Sequence, residues 1–264
     1  MVVRRTGPGS VQAASVTQTL KKRPAASVAR SAASLPTGVG RKEDFAAAAR
    51  RIETSLRFVA RPAKAPQMAM YLKNLFVLLG VSSPDRRAAV AEDLKAWSAR
   101  TTPEVVGICN ALYDMPHREC HYVACDILLA HKPTDVDMKL RLVKSLICKH
   151  SWWDTVDALS SCVGQVLDCP GVWPEVDAWI TDPNMWLRRS AIICQRTRGQ
   201  KTDAKRMFRY CKLCAREKEF FIEKAIGWAL RSYARVDAQA VRDFVAATPL
   251  RPLSAREGLK HLRP

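Results

Sequence analysis

From residue 43 almost to the end, apolar residues recur every three to four positions, in runs near 43–60, 66–80, 84–99, 103–113, 118–130, 135–149, 151–167, 183–197, 201–216, 217–234 and 237–247. That period describes one buried face of an α-helix. Between the runs stand Pro66, Pro84, Pro103, Pro116, Pro133, Pro170, Pro174, Pro183, Pro249 and Pro252. Several of these fall in first-turn positions, where a missing N–H costs nothing. Nothing reads as a sheet, so the expected fold class is all-α. Many helices of similar length joined by short loops predict a superhelical solenoid of antiparallel helix pairs, each burying its face against its neighbours.

The charge narrows the choice of partner. A formal charge of +18 and a pI near 9.9 in 264 residues exceed ordinary surface decoration and point to a polyanion, nucleic acid first. Residues 1–42 contain eight Lys or Arg and no Asp or Glu, so they read as a flexible basic tail, and residues 43–264 as a single domain that keeps the remaining +10 (18 less 8). The tail fits a transit peptide, a nuclear address around Lys21-Lys22-Arg23-Pro24, or an electrostatic arm, leaving nucleus or mitochondrion undecided. No stretch approaches the roughly 18 apolar residues of a membrane span, so no membrane partner is expected. Nine cysteines, an odd number scattered among apolar helical residues such as Cys109, Cys125, Cys162 and Cys194, read as reduced thiols inside a cell.

The stretch "HSWWDTVDAL" from His150 to Leu159 carries an adjacent tryptophan pair. Neighbouring helical residues point about 100° apart, so one ring must leave the core. With the helix read from Lys149, Trp152, Val156, Leu159, Val163 and Val166 form the core stripe. The neighbouring stripe is Lys149, Trp153, Asp157, Ser160 and Gly164, small and polar apart from one aromatic. Trp153 is therefore expected to look outward, beside Asp157 at i, i+4.

A second stripe in "KEFFIEKAIGWALRSYAR" sets Trp228 among Lys224, Arg231 and Arg235, the cations and flat plate a nucleic-acid groove uses. The alternative is cation–π packing on a solvated face. In "DPNMWLRRSAII", Asp182 or Asn184 caps a helix whose Arg188 and Arg189 extend the basic edge. Trp153 to Arg189 is 36 positions and Arg189 to Trp228 is 39, near the roughly 40-residue period of HEAT-type repeats. These three residues are expected to line one edge.

The segments "SWWDTVDAL", "WLRRSAIICQ", "TDAKRMFRYC" and "KEFFIEKAIGWALRSYARVDAQAVRDFV", with "MYLKNLFVLLGVSSPDRR" and the closing "LSAREGLKHL", resemble the DNA alkylation repair family, the AlkD-like DNA glycosylases, over roughly residues 66–262. The resemblance implies a HEAT-like superhelix holding duplex DNA along a concave basic face, and a monomer; separately, Gly38-Val-Gly40 precedes no strand and no GxxxxGK phosphate loop occurs, so no cofactor is expected. It implies hydrolysis of the N-glycosidic bond of cationic N3- or N7-alkylated purines, without flipping the base into a pocket. By the same resemblance the catalytic aspartate is Asp157, the sugar-contacting tryptophans are Trp153 and Trp228, and the cleft arginine is Arg189. Arg87 and Arg231 match backbone-holding positions, Tyr71 matches the first cleft aromatic, and Ser82 and Ser83 occupy the turn approaching the opposite strand.

These residue types suit that chemistry. An alkylated purine already carries positive charge and leaves as a neutral base, which relaxes the usual demand for two carboxylates. Positive charge then develops at C1′, where a fixed carboxylate and aromatic faces stabilise it. No lysine stands out as a Schiff-base nucleophile, so a monofunctional glycosylase is expected. Metal binding is not expected: Cys211-Lys-Leu-Cys214 lacks a second pair, and His117-Arg-Glu-Cys-His121 is not in HExxH order. The competing reading is a non-catalytic helical-repeat scaffold that binds DNA or protein, for which an anion in a basic groove has no use.

Overall fold

The computed structural model describes residues 44–262, and among them fourteen α-helices follow one another. They are α1 (Phe45–Phe58), α2 (Ala65–Tyr71), α3 (Ser83–Ala89), α4 (Ala91–Ser98), α5 (Thr102–Tyr113), α6 (Arg118–Ala130), α7 (Val136–Cys148), α8 (Trp153–Val166), α9 (Val172–Trp179), α10 (Met185–Ile193), α11 (Ala204–Leu213), α12 (Phe220–Tyr233), α13 (Ala238–Ala247) and α14 (Pro252–Gly258). The only β-pairing among these residues is the isolated bridge Val77↔His117. The tail read from residues 1–42 lies outside the described residues.

Helix starts follow the local chemistry that the sequence announces. Asp44, Ser82, Asp135, Asn184, Asp203 and Asp237 each accept a backbone N–H of the first turn, and Thr101 forms a capping box with Glu104. Of the two residues offered as the cap of α10, Asn184 fills the role, and Asp182 accepts the Asn184 N–H at 2.8 Å. Pro84, Pro103 and Pro252 sit in first turns, where proline is harmless.

From α5 onward the helices pair in order, α5 with α6 through α13 with α14, as in the antiparallel pairs of a solenoid. The second helices form a row: α6 packs on α8, α8 on α10, α10 on α12 and α12 on α14. Leu112, Ile127, Leu146, Leu159, Trp179, Ile226 and Leu230 lie in one apolar core running through the stack. No helix among the described residues is long and apolar enough to cross a membrane.

Four sequence boundaries differ from the structure. The run 66–80 is helical only to Tyr71, because Lys73 and Asn74 take left-handed backbone with φ of 60° and 57°. Beyond them the apolar residues lie in irregular chain pinned by Glu119, whose buried carboxylate accepts the N–H groups of Leu79, Gly80 and Val81. The run 84–99 is two helices, broken at Val90. Residues 172–179, read as a breaker region around Pro170 and Pro174, form α9, with Pro174 still in the first turn. The segment 252–258, absent from the periodic runs, is α14.

The tryptophan pair is resolved differently from the sequence argument. His150 is left-handed, with φ of 52°, and Trp152 is extended, so α8 begins at Trp153 rather than at Lys149. The two rings diverge because the backbone changes conformation between them. Trp152 is only partly buried against the core. It packs tilted against Trp186 and edge-on against Phe221 at centroid distances of 5.7 and 5.0 Å, its indole nitrogen without a hydrogen-bond partner among the described residues.

Candidate functional site

The small residues beside Trp153 on α8 are small for packing. Ser160 and Gly164 are buried against α10, not solvent-facing as their polarity predicts. A Cβ on Gly164 would stand 2.3 Å from the Cys194 carbonyl oxygen, and the Ser160 and Ser190 hydroxyls are 3.0 Å apart. This close crossing brings α8 and α10 near enough for Asp157 to meet Arg189. Arg189 Nε and Nη2 donate to the two oxygens of Asp157 at 2.8 and 2.9 Å, a bidentate pair, and Nη1 donates to the Phe221 carbonyl at 2.6 Å. Arg189 is 2% exposed. It is therefore not the free cation of a basic edge, but the clamp that fixes the Asp157 carboxylate.

Arg189 of this pair, with Lys224, completes the lining of a cleft of about 370 Å³ walled by Tyr71, Trp153, Phe220, Phe221 and Trp228, and Asp157 stands behind the arginine. Tyr71 meets Trp153 edge-on at 5.5 Å, and the Arg189 guanidinium lies 5.6 Å from the Trp228 ring centre. The three residues at repeat spacing, Trp153, Arg189 and Trp228, come from α8, α10 and α12 and meet at this cleft. Phe220 and Phe221 were not assigned from sequence. The exposure of Phe220, placed just ahead of the core stripe of α12, is the signal that marks it.

The cations beside Trp228 are partly spent. Lys224 Nζ and Arg231 Nη1 donate to the two oxygens of Glu257 on α14 at 3.0 and 2.9 Å, and the Lys224 bond with these nearby cations holds the Glu257 carboxyl below its ordinary range. Glu257 reaches them because Gly227 leaves no side chain in the way; a Cβ there would meet Glu257 Cβ at 2.4 Å. Arg235 is exposed. Arg188 does not line the cleft: it donates to Glu217 and to the carbonyls of Asp182 and Pro183, which ties α10 to its surroundings. Arg87 is exposed and 3.6 Å from Asp126, beside a second cleft that Trp153 and Asp154 also line.

Asp154, which sequence reasoning passed over, anchors the start of α8. It accepts two bonds from Arg118, which is fully buried, and one from the Tyr122 hydroxyl. Burial, with Asp154 next, raises the Tyr122 hydroxyl well above its ordinary pKa. Arg118 also packs 3.7 Å from the Phe76 ring centre. The two weak metal motifs have other employment. His117 pairs with Glu53, His121 faces the Met115 carbonyl and Arg118, and burial pushes the Cys211 thiol up to about 12 and the Cys214 thiol higher still.

The family model described as "DNA alkylation repair enzyme" matches residues 52–262. The chain belongs to this DNA alkylation repair family. Among solved structures it resembles one titled "Predicted DNA alkylation repair enzyme from Enterococcus faecalis", with 29% identity and a TM-score of 0.70 over 77% of this chain and 96% of that one. No curated protein sequence matches it. Membership makes DNA the expected partner and repair of alkylation damage the general role.

Proposed function

We propose that this member of the family is a monofunctional DNA glycosylase releasing cationic N3- or N7-alkylated purines, such as 3-methyladenine and 7-methylguanine, from duplex DNA. The observation that carries the reading is the Asp157 carboxylate, one helical turn from Trp153 and fixed by a buried arginine that lines the cleft together with Trp153 and Trp228. In the reaction the C1′–N bond breaks, and its electron pair stays with the base and cancels the alkyl-derived charge. Positive charge moves to C1′ and O4′, where Asp157 offers a nearby anion and the indole faces offer cation–π attraction. Water then adds to C1′ and loses its proton to Asp157 or to solvent, leaving an abasic site. Arg189 acts as a positioning residue, holding the carboxylate in one orientation before the charge develops.

Lys224 lines the cleft beside Trp228, and its ammonium is tethered to Glu257, which does not suit a Schiff-base nucleophile. Borohydride reduction during turnover is expected to trap no protein–DNA adduct.

One observation favours the scaffold alternative. The Arg189 pair leaves Asp157 electrostatically balanced, so an anion in the groove no longer argues by itself for catalysis. Incubating methylated duplex DNA with the protein and with Asp157→Asn, and identifying released bases by mass, separates the two readings. Release by the native protein alone supports the glycosylase. Salt-sensitive DNA binding without any base release supports the scaffold.

A further inference from the structure

Trp228 is a wall shared by two clefts. Besides the aromatic cleft, it lines one of about 410 Å³ where α10 and α12 end, which Trp153 does not reach. Its lining carries Arg196, Arg231 and Arg235, the hydroxyls of Thr197, Thr202 and Ser232, and no acidic residue. Arg196 lies just past the end of α10, with its guanidinium 5.3 Å from the Trp228 ring centre. Arg189 approaches the same ring at 5.6 Å but is committed to Asp157 and Phe221. Arg196 and Arg235 have no carboxylate within ion-pair distance among the described residues, whereas Arg231 is held by Glu257.

Two unneutralised guanidinium groups in one concavity without a carboxylate create a field that favours an anion. The planar fork of arginine matches two phosphate oxygens, and hydroxyls can supply further bonds. The basic lining does not stop at this cleft. Arg231 and Arg235 also line the next one, of about 250 Å³, together with His261. A continuing basic path suits a polymer with repeating charges better than a single ion.

We infer that Arg196 and Arg235 form a phosphate subsite, taking a backbone phosphodiester of the DNA strand whose sugar lies against Trp228. The location of that sugar rests on the glycosylase reading; the phosphate subsite itself does not. Arg196 is a residue that charge counting from sequence had no reason to separate from its neighbours in "QRTRGQK". Arg198, two positions on, is instead bound to Asp168 and the Gly164 carbonyl.

The test is binding of an undamaged duplex across a salt series by the native protein, Arg196→Gln and Arg235→Gln. Each variant is expected to bind more weakly, and to lower the steepness of log K against log salt by about 1, the signature of one lost phosphate contact. Arg235 is exposed, so its variant stays informative even if loss of Arg196 disturbs the packing around Trp228. Slopes equal to that of the native protein in both variants, with melting temperatures unchanged, overturn the subsite. Inorganic phosphate titrated at constant ionic strength is expected not to displace the duplex. Specific displacement would assign the pocket to a free phosphate and overturn the backbone reading. If the native protein releases no base while the slopes still fall, the glycosylase reading fails and the subsite stands; if it releases base while the slopes stay unchanged, the subsite alone fails.

Discussion

Arg189 holds Asp157 through two parallel hydrogen bonds of 2.8 and 2.9 Å, and spends another guanidinium donor on the Phe221 carbonyl of the next helix in the row. Three helices of the stack, α8, α10 and α12, are thus tied together at the floor of the aromatic cleft. The same guanidinium that orients the carboxylate proposed to act in the chemistry also links α8 to α12, the helices that carry Trp153 and Trp228. On the proposed function, stability and activity are coupled at this point.

Removing one partner of this pair leaves the other half-stranded in a poorly hydrated site. Arg189→Met is expected to lower stability by about 3 kcal/mol, and combining it with Asp157→Asn to recover a substantial part. Urea unfolding of the two single variants and the double variant measures the coupling. Simple additivity would mean that the pair contributes nothing as a pair.

Asp157→Asn keeps the shape of the side chain and removes the charge. The expected loss is about 10²-fold or more in single-turnover excision, since oriented electrostatic contributions of about 3–4 kcal/mol are typical. Duplex affinity should stay within a few-fold of native. Trp153→Ala and Trp228→Ala are expected to lose less, about 2- to 30-fold each, as cation–π contributions of about 0.5–2 kcal/mol dictate. A tryptophan variant slower than Asp157→Asn would reverse this ranking of charge over aromatic faces.

Glu257 restrains the two cations nearest Trp228. Glu257→Gln frees Lys224 and Arg231, so undamaged duplex should bind more tightly at low salt, with a log–log salt slope steeper by about 1. Filter binding or fluorescence anisotropy between low and moderate salt measures both quantities. An unaltered slope would place Lys224 and Arg231 away from the DNA backbone.

Burial, followed by the nearby Arg118 charge, pulls the His121 pKa from 6.5 down to about 4. The folded protein keeps this ring neutral while the unfolded chain protonates it first. Stability is therefore complete above about pH 6.5 and is lost as pH falls toward 4, about 2 kcal/mol of it between pH 7 and pH 5. His131 and His150 are shifted in the same direction by burial and add to the slope. His121→Phe retains a ring to stack against Tyr113 but gives up the bonds to Met115 and Arg118. It should be less stable at pH 7 and flatter between pH 7 and pH 5, which denaturant midpoints at the two pH values will show.

What the sequence alone determined was the helical class, most of the helix starts and the family. These rest on local physics: the 3.6-residue period, caps such as Asn184 and Asp237, first-turn prolines, and ordered segments such as "SWWDTVDAL". The spacing of Trp153, Arg189 and Trp228 also foretold that they meet, because a repeat brings equivalent positions into line. Only the tertiary structure decided what each charge does. Arg188, Arg189 and Arg196 are alike in sequence, yet one braces α10 against Glu217, one clamps Asp157, and one has no carboxylate partner within the described residues. Partners for such side chains lie about thirty residues away: Glu217 in the loop before α12, and Asp157 on α8, whose approach to α10 is close because Gly164 carries no side chain. Periodicity records which face of a helix is buried; it holds no information on which distant carboxylate will neutralise a given cation.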